Sequence, residues 1–569
     1  MQMIGFGLLL LAWLNPLHLP PWVSWHSEVL AFASGMLMFM GVLLILVRQR
    51  CAVLRVPRSA LLLVFIAAMA AAQCAFGQII LFGDALVLGF YLFLVFATLV
   101  AGYASATGPA PIGGVKTVAD GGGELNQLAW TVLTGALFST AVALIQSTDV
   151  WRESEWIAQA SNVRRSGGNI SQVNQLATLQ IMGLASMALL VGKGKLKGLV
   201  ALLMYLVLAV GVGLTESRSG LLSAVALFCW WFLHRKNVST AITSLHPILG
   251  LLLMLFSFSF FPLGITFLQE GGFGAAPLQF ANVSAGTRLV IWPQLLEASL
   301  QQPWLGWGLR QVSVAHNAVL HNHLLGEAFI YSHNIVLDLV LGMGYPITVL
   351  IMILCAIWLL RRMRLVGDIN SWYCFALVLP VAVHSQLEFP FAYAYFLVPV
   401  AFAVGVLEGR LAPKSYFQVR VRSMVVMSGA LLTLILWSGL EYLAVEEDYG
   451  VARFEALRIG KTPETYERPA IVLLTQMDAV LAVIRLVPSP GMRPENIELA
   501  RKVALRFPWP ATQSRYALSL ALNGYPDEAV RQLKVMRAMH GERLFAGTRS
   551  AWAEMAQAKY PQLSKVELP

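Results

Sequence analysis

Long apolar runs, broken by short polar ones, fill most of the first 440 residues of this chain. A helix needs about 20 mostly apolar residues to cross the hydrocarbon core of a bilayer. By that measure the pattern predicts spans at 3–19, 28–47, 59–76, 79–102, 129–148, 173–191, 197–213, 219–234, 247–267, 334–360, 371–387, 390–407 and 423–441. The expected fold is therefore all-α, a polytopic transmembrane helical bundle of about 13 spans. The run Ile4 to Trp13 has no basic residues in front of it and no small-residue cleavage site. It reads as a retained first helix and not as a removed signal peptide. The longest interruption is a polar island at 269–333, which closes on Tyr331-Ser332-His333-Asn334.

From Glu441 onward the pattern changes again. Charge density rises, and apolar residues recur at three and four spacing over 494–507, 511–523 and 526–539. That is the period of amphipathic helices. Two domains are expected: 1–441 in the membrane and 442–569 as a helical domain outside it. Tyr516 to Ala529 reads as a helix, a turn at Gly524 and a capped helix start, with Ala517, Ala521 and Ala529 small enough for close packing. One hairpin of this kind fits a tetratricopeptide-type unit and a generic helical domain equally, since a solenoid needs about three repeats.

Charge sets the expected orientation, because cytoplasmic loops are enriched in Lys and Arg. Alternate loops carry Arg48, Arg50, Arg55 and Arg58, then Lys193, Lys195 and Lys197, then Arg235 and Lys236, then Arg361, Arg362 and Arg364, then Arg410, Lys414, Arg420 and Arg422. Only the Gly-rich loop around Lys116 is poor in charge. The opposite loops hold fewer: Arg152, Arg164, Arg165, Arg218, Arg288 and Arg310. The polar island is thus expected outside, and an odd span count puts the tail there too. Composition agrees, with 12% charged residues and a mean hydropathy of +0.68, against about 25% charged in soluble proteins. The formal charge of +10 lies in these loop clusters, so it does not point to nucleic acid. The five cysteines show no paired spacing, which points to neither a disulfide framework nor a thiolate metal site.

Polar side chains held near lipid are costly and tend to mark function. Arg218, in Ser217-Arg218-Ser219-Gly220, and Arg288 lie on the side where basic residues are disfavoured. Guanidinium groups bind phosphate oxygens bidentately, so both suit a pyrophosphate. A snorkelling helix-end arginine is the bland reading. His333 begins a helix at the outer surface and is a candidate proton acceptor. Asn334 beside it suits an N-cap or a substrate contact. His384 and Glu388 are four apart, on one face if the helix continues that far. They read as a substrate contact or as a mutually satisfied pair, and His384 competes with His333 as base. Asn174 and Gln175 suit sugar hydrogen bonds or plain interfacial polarity. The tryptophans of Pro303-Trp304-Leu305-Gly306-Trp307-Gly308 suit sugar stacking or membrane anchoring. His316, His321, His323, Glu327 and His333 invite a zinc reading, but their spacing matches no tight metal pattern, so no metal is expected.

Ser217-Arg218-Ser219-Gly220, Arg288 with Trp292, the Pro-Trp-Leu-Gly-Trp-Gly run and Ser332-His333-Asn334 resemble the signature of the O-antigen ligase and polymerase superfamily, WaaL and Wzy. The segments Val173-Asn174-Gln175-Leu176-Ala177-Thr178 and His384-Ser385-Gln386-Leu387-Glu388-Phe389-Pro390 resemble its PglL branch, the bacterial O-oligosaccharyltransferases. The resemblance covers essentially the whole chain. It implies a GT-C-like membrane glycosyltransferase of the bacterial inner membrane, with active site and tail in the periplasm. The donor would be an undecaprenyl-pyrophosphate-linked oligosaccharide and the acceptor a Ser or Thr of an exported protein such as a pilin, with no cofactor. It implies His333, Arg218 and Arg288 as catalytic and His384, Glu388, Asn334, Asn174, Gln175 and Trp292 as substrate-binding. One departure is Gly342, where the family places an acidic residue, so that role falls to Asp338 or Glu388 or is missing. A ligase or polymerase with a lipid or glycan acceptor is the alternative within the superfamily. A lipid or polysaccharide transporter is the alternative outside it; transporters often show inverted repeats and midplane sites, whereas here the polar residues gather at one face.

Overall fold

The structure is a computed structural model that describes residues 1–108, 122–148, 154–159, 165–238, 248, 250–252, 254–257 and 285–569. Part of the expected span 247–267, the first part of the polar island, Lys116, Arg152 and Arg164 lie outside the described residues. The fold is mostly helical. Among the described residues nine helices are long and apolar enough to cross a membrane: Trp25–Arg48, Arg58–Ala75, Phe82–Thr107, Gly122–Ser147, Val173–Gly192, Gly198–Thr215, Ile335–Met363, Ala394–Leu411 and Val421–Leu457. Two shorter apolar helices, Gln2–Leu14 and Ile369–His384, and the helix Arg218–Val238 occupy three further expected positions. The chain is a multi-pass membrane protein.

Three local departures have physical causes. The first helix stops at Leu14, where Asn15 turns to an extended conformation ahead of Pro16; the residue before a proline disfavours the α region. The last apolar helix runs past 441 to Leu457, because its polar end finds partners. The Glu441 carboxylate accepts the backbone N–H groups of Val472, Leu473 and Leu474, capping the helix Thr475–Arg485, and Asp448 pairs with Arg485 at 2.6 Å. Two basic loops hold short strands that the pattern did not announce. Val53–Pro57 and Tyr416–Arg420 pair antiparallel, with Val53 opposite Arg420 and Arg55 opposite Gln418.

The described chain divides into two compact units. The first comprises 1–66, 90–277 and 355–432. Its helices touch closely where glycine allows it: a Cβ on Gly220 would lie 2.7 Å from the Cβ of Ala177. Glu28 is buried there, its carboxylate accepting the Tyr91 hydroxyl at 2.9 Å and the Ala394 N–H at 2.7 Å, so one side chain joins three helices.

The second unit comprises 67–89, 278–354 and 433–569. Here the Pro-Trp-Leu-Gly-Trp-Gly run has a structural task. Trp307 N–H donates to Leu341 O at 2.6 Å and Tyr345 N–H to Pro303 O at 2.8 Å. Gly306 (φ 69°) and Gly344 (φ 79°) take left-handed conformations at this contact, and a Cβ on either would strike the opposing backbone. The tail packs on the same segment. Leu320 joins Val535, Ala538 and Met539 in one apolar cluster, and Gly326 N–H donates to Ala538 O at 2.9 Å. Arg506 grips Asp84 through two bonds of 2.6 and 2.9 Å with both side chains buried, and its carbonyl accepts from Ser313. Within this unit the tail therefore packs against the 302–334 segment.

Candidate active site

The expected site residues fall into two groups, one in each unit. In the first unit, Gly198–Thr215 and Arg218–Val238 are joined by the turn Glu216-Ser217. Ser217 caps the second helix, its Oγ accepting Gly220 N–H at 3.1 Å. Arg218 is the first residue of that helix and is exposed. Its bland alternative, a helix-end arginine reaching outward, uses the same position.

Ser217 Oγ also donates to Asn174 Oδ1 at 2.7 Å, and Asn174 Nδ2 reaches Glu388 Oε1 at 3.5 Å. Thr178, one turn beyond Asn174, lies 2.7 Å from His384 Nδ1. Its hydroxyl also donates to Asn174 O at 3.0 Å. With that single proton committed to the carbonyl, His384 Nδ1 is the donor to Thr178. Ile369–His384 ends at His384, yet Glu388 N–H still donates to His384 O at 2.9 Å, so the expected one-face relation holds. The structure thus brings Asn174, His384 and Glu388 into one hydrogen-bonded group with Ser217 and Thr178. Gln175 belongs elsewhere: it is buried and accepts the Tyr395 hydroxyl at 2.7 Å.

In the second unit, Arg288 and Trp292 lie one turn apart on Ala285–Gln301. The Trp292 indole N–H donates to Ser332 O at 2.9 Å. Ser332 N–H donates to Asp338 Oδ1 at 2.8 Å, and Ser332 Oγ to Asn334 O at 2.8 Å. Asn334 Oδ1 accepts the N–H groups of Val336 and Leu337, both at 3.0 Å, which makes it the N-cap of Ile335–Met363. His333 stands between these anchors at φ 60°, half-buried, with its ring edge-on to Phe329 at 4.8 Å. A left-handed histidine is uncommon, and such strain persists where surrounding bonds over-determine it.

Asp338, one of the two stand-ins weighed for the family's acid, bonds the residue before His333. Gly342 is buried, its carbonyl accepting Gln73 Nε2 at 2.7 Å. A Cβ at Gly342 would come within 3.1 Å of Leu309, so the position is tight. Two of the other histidines of the island take separate partners on Ala285–Gln301. His316 Nε2 bonds Gln294 Oε1 and His323 Nε2 bonds Glu297 Oε2, each at 2.8 Å. Burial, with His323 nearby, pushes His316 down to about 4. No cluster of three metal-ligating residues occurs among the described residues. Sequence reasoning missed Ser217 and Ser332, both serines next to the expected Arg and His. The signal for each was capping chemistry: a Ser three residues before Gly220, and a Ser two residues before an Asn cap.

Comparison with known proteins follows the same outline. Residues 202–352 match the O-antigen ligase family, and 372–554 match the C-terminal region of the virulence factor membrane-bound polymerase family. A general O-oligosaccharyltransferase of Acinetobacter baylyi is 26% identical over 558 residues, 94% of this chain and 91% of that protein. A ComP-specific O-oligosaccharyltransferase of the same organism is 27% identical over 350 residues, 60% of each chain. The first match contains Arg218, Arg288, Trp292, His333 and Asn334, and the second contains His384 and Glu388. This chain is a glycosyltransferase that carries a match to the O-antigen ligase family over 202–352 and is similar over almost all its length to an O-oligosaccharyltransferase.

Proposed function

We propose that the protein is an O-linked oligosaccharyltransferase of a bacterial inner membrane. It moves a glycan from undecaprenyl pyrophosphate to a Ser or Thr hydroxyl of an exported protein such as a pilin, on the periplasmic side. The acceptor oxygen attacks the anomeric carbon of the sugar. Its proton passes to the His333 imidazole. The bond from that carbon to pyrophosphate oxygen breaks, and the lipid pyrophosphate leaves with the electron pair. Arg218 and Arg288 meet the developing charge, the kind of preorganised stabilisation that lowers a transition state most. Asn174 and Glu388 contact the donor or acceptor, with His384 bonded to Thr178 behind them, Asn334 and Trp292 hold the His333 turn, and the domain 442–569 faces the acceptor.

The observation that carries this reading is the His333 turn. Trp292, Asp338 and Asn334 fix its backbone in a strained conformation at the start of a long apolar helix. His384, by contrast, has a side chain wholly removed from the surface (0% exposed). A partly exposed imidazole suits a macromolecular acceptor better. The test is transfer by the purified protein from a lipid-linked glycan, offered a pilin-like protein and lipid A core together. Glycan on the protein supports the proposal. Glycan on the lipid alone would favour the ligase reading, which the name of the family matching 202–352 also suggests. No transfer to either acceptor would sink both. Sidedness has its own test: a cysteine placed beyond residue 445 should react with a membrane-impermeant reagent added outside, and protection there would refute the outward tail.

A further inference from the structure

A cavity lies wholly within the first unit, away from the candidate site. It encloses about 860 Å³ of space, including the part open to the outside. Its walls are apolar, from Met38, Val42, Ile45 and Leu46 on one helix and Ala101 and Phe402 on two others. Its rim is formed by helix ends: Gln2 at the start of Gln2–Leu14, Thr107 at the end of Phe82–Thr107, and Glu124 in the first turn of Gly122–Ser147. The end of a membrane helix is where headgroups lie. The other end of Gly122–Ser147 carries Gln146, which bonds Gly168 O ahead of the Asn174 helix. Twenty-two residues of helix separate Glu124 from Gln146, roughly 33 Å at about 1.5 Å per residue. The cavity and the Asn174–His384 group thus occupy opposite membrane faces.

Its polar lining narrows to two charges. The hydroxyls are already donors within the protein, Tyr103 to Pro413 O, Ser105 to Gly102 O and Thr107 to Tyr103 O. Arg55 and Glu124 also line it. Arg55 extends from the ribbon strand and lies over the Tyr416 ring, 5.3 Å from its centroid. Among the described residues neither Arg55 nor Glu124 takes part in an ion pair. Apolar walls, a guanidinium and a carboxylate therefore face one space at headgroup depth. A phosphate suits the guanidinium, and an ammonium suits the carboxylate. We propose that this cavity binds one phospholipid whose headgroup carries both a phosphate and a primary ammonium, a phosphatidylethanolamine, with acyl chains against Met38, Val42 and Phe402. An anionic headgroup would meet Arg55 but be repelled by Glu124. A choline headgroup carries the positive charge but no N–H to donate.

Native mass spectrometry of the full chain tests this, after delipidation, with phosphatidylethanolamine, phosphatidylcholine and phosphatidylglycerol of identical acyl chains. The expected result is one retained ethanolamine lipid per protein. Glu124→Gln should lower its advantage over the other two by roughly threefold to tenfold, the effect of one charge-assisted contact weakened by partial exposure. Arg55→Gln should weaken all three lipids. Ala104→Trp, which fills the cavity and keeps both charged residues, should abolish retention while the helical circular dichroism stays unchanged. Chain-free glycerophosphoethanolamine should not compete. Equal retention of the three lipids by the wild type, the same preference in Glu124→Gln, or full retention in Ala104→Trp would each overturn the proposal.

Discussion

Two helix starts carry the candidate chemistry, and they are built differently. At Ser217–Arg218 the serine caps the helix and the arginine takes the first helical position. The backbone there is ordinary for Arg218, and the left-handed residue is Glu216, at the end of the preceding helix. At Ser332–Asn334 the asparagine caps the helix and His333, just before it, is itself left-handed. A long flexible side chain reaches its target from a relaxed backbone. A short imidazole has to be aimed by the backbone, so strain collects beneath it. The arginine is therefore expected to depend on its own geometry, and the histidine on the residues around it.

The largest expected effect is at His333. His333→Ala should lower the transfer rate by about 10²–10⁴-fold, the usual contribution of a general base, while insertion and donor binding persist. His333→Gly should be equally inactive, yet more heat-stable than the alanine variant, because glycine adopts positive φ without the roughly 1–2 kcal/mol penalty of a β-carbon. Thermal unfolding of the two variants side by side checks this. Equal stability would mean that the turn is not strained.

Next is Arg218→Lys, which keeps charge and loses the planar fork. If Arg218 makes a charge-assisted contact in the transition state, kcat should drop roughly ten- to a hundredfold, from a loss of about 1.5–3 kcal/mol. Unchanged kinetics at equal expression would return it to an arginine that merely reaches outward.

A smaller effect is expected at Trp292. Trp292→Phe keeps the ring and removes the bond to Ser332 O, worth about 0.5–1.5 kcal/mol. The rate should fall about threefold to tenfold with KM nearly constant. A raised KM with unchanged kcat would instead mean that the ring binds sugar and that the turn stands without it.

The smallest effect concerns pH. His316 is held down to about 4 in the folded protein, against 6.5 ordinarily, chiefly by burial. Its neutral form is the folded one, so its contribution is intact above pH 6.5 and is lost as pH falls toward 4. His316→Gln should flatten the thermal midpoint across that window. An unaltered slope would place the acid sensitivity elsewhere.

Much of this was legible in the pattern of the chain. Apolar runs located the helices, since crossing a bilayer demands length and composition and little else. Positions 174, 218, 333 and 388 were conspicuous because polar residues at the ends of apolar runs are few. The hydrogen bonds among them were not legible. Asn174 meets Ser217 where glycine at 220 lets two helices close on each other, and meets Glu388 from beyond the end of a third. The strands Val53–Pro57 and Tyr416–Arg420 were hidden for another reason: they are five residues each, and their arginines read as loop charge. The Pro-Trp-Leu-Gly-Trp-Gly run suited sugar stacking or membrane anchoring. Its backbone also forms a clasp through Trp307 and Gly306, which the sequence could not announce because it depends on residues 341–345.

The account stands or falls on which histidine accepts the proton. The direct measurement is single-turnover glycan transfer by purified His333→Ala, His384→Ala and wild-type protein, with insertion and donor binding measured for each. His333→Ala should bind donor normally and transfer at least about 10²-fold more slowly, while His384→Ala should keep more of its rate and lose donor or acceptor affinity. Near wild-type transfer by His333→Ala, with His384→Ala inactive, would contradict the assignment.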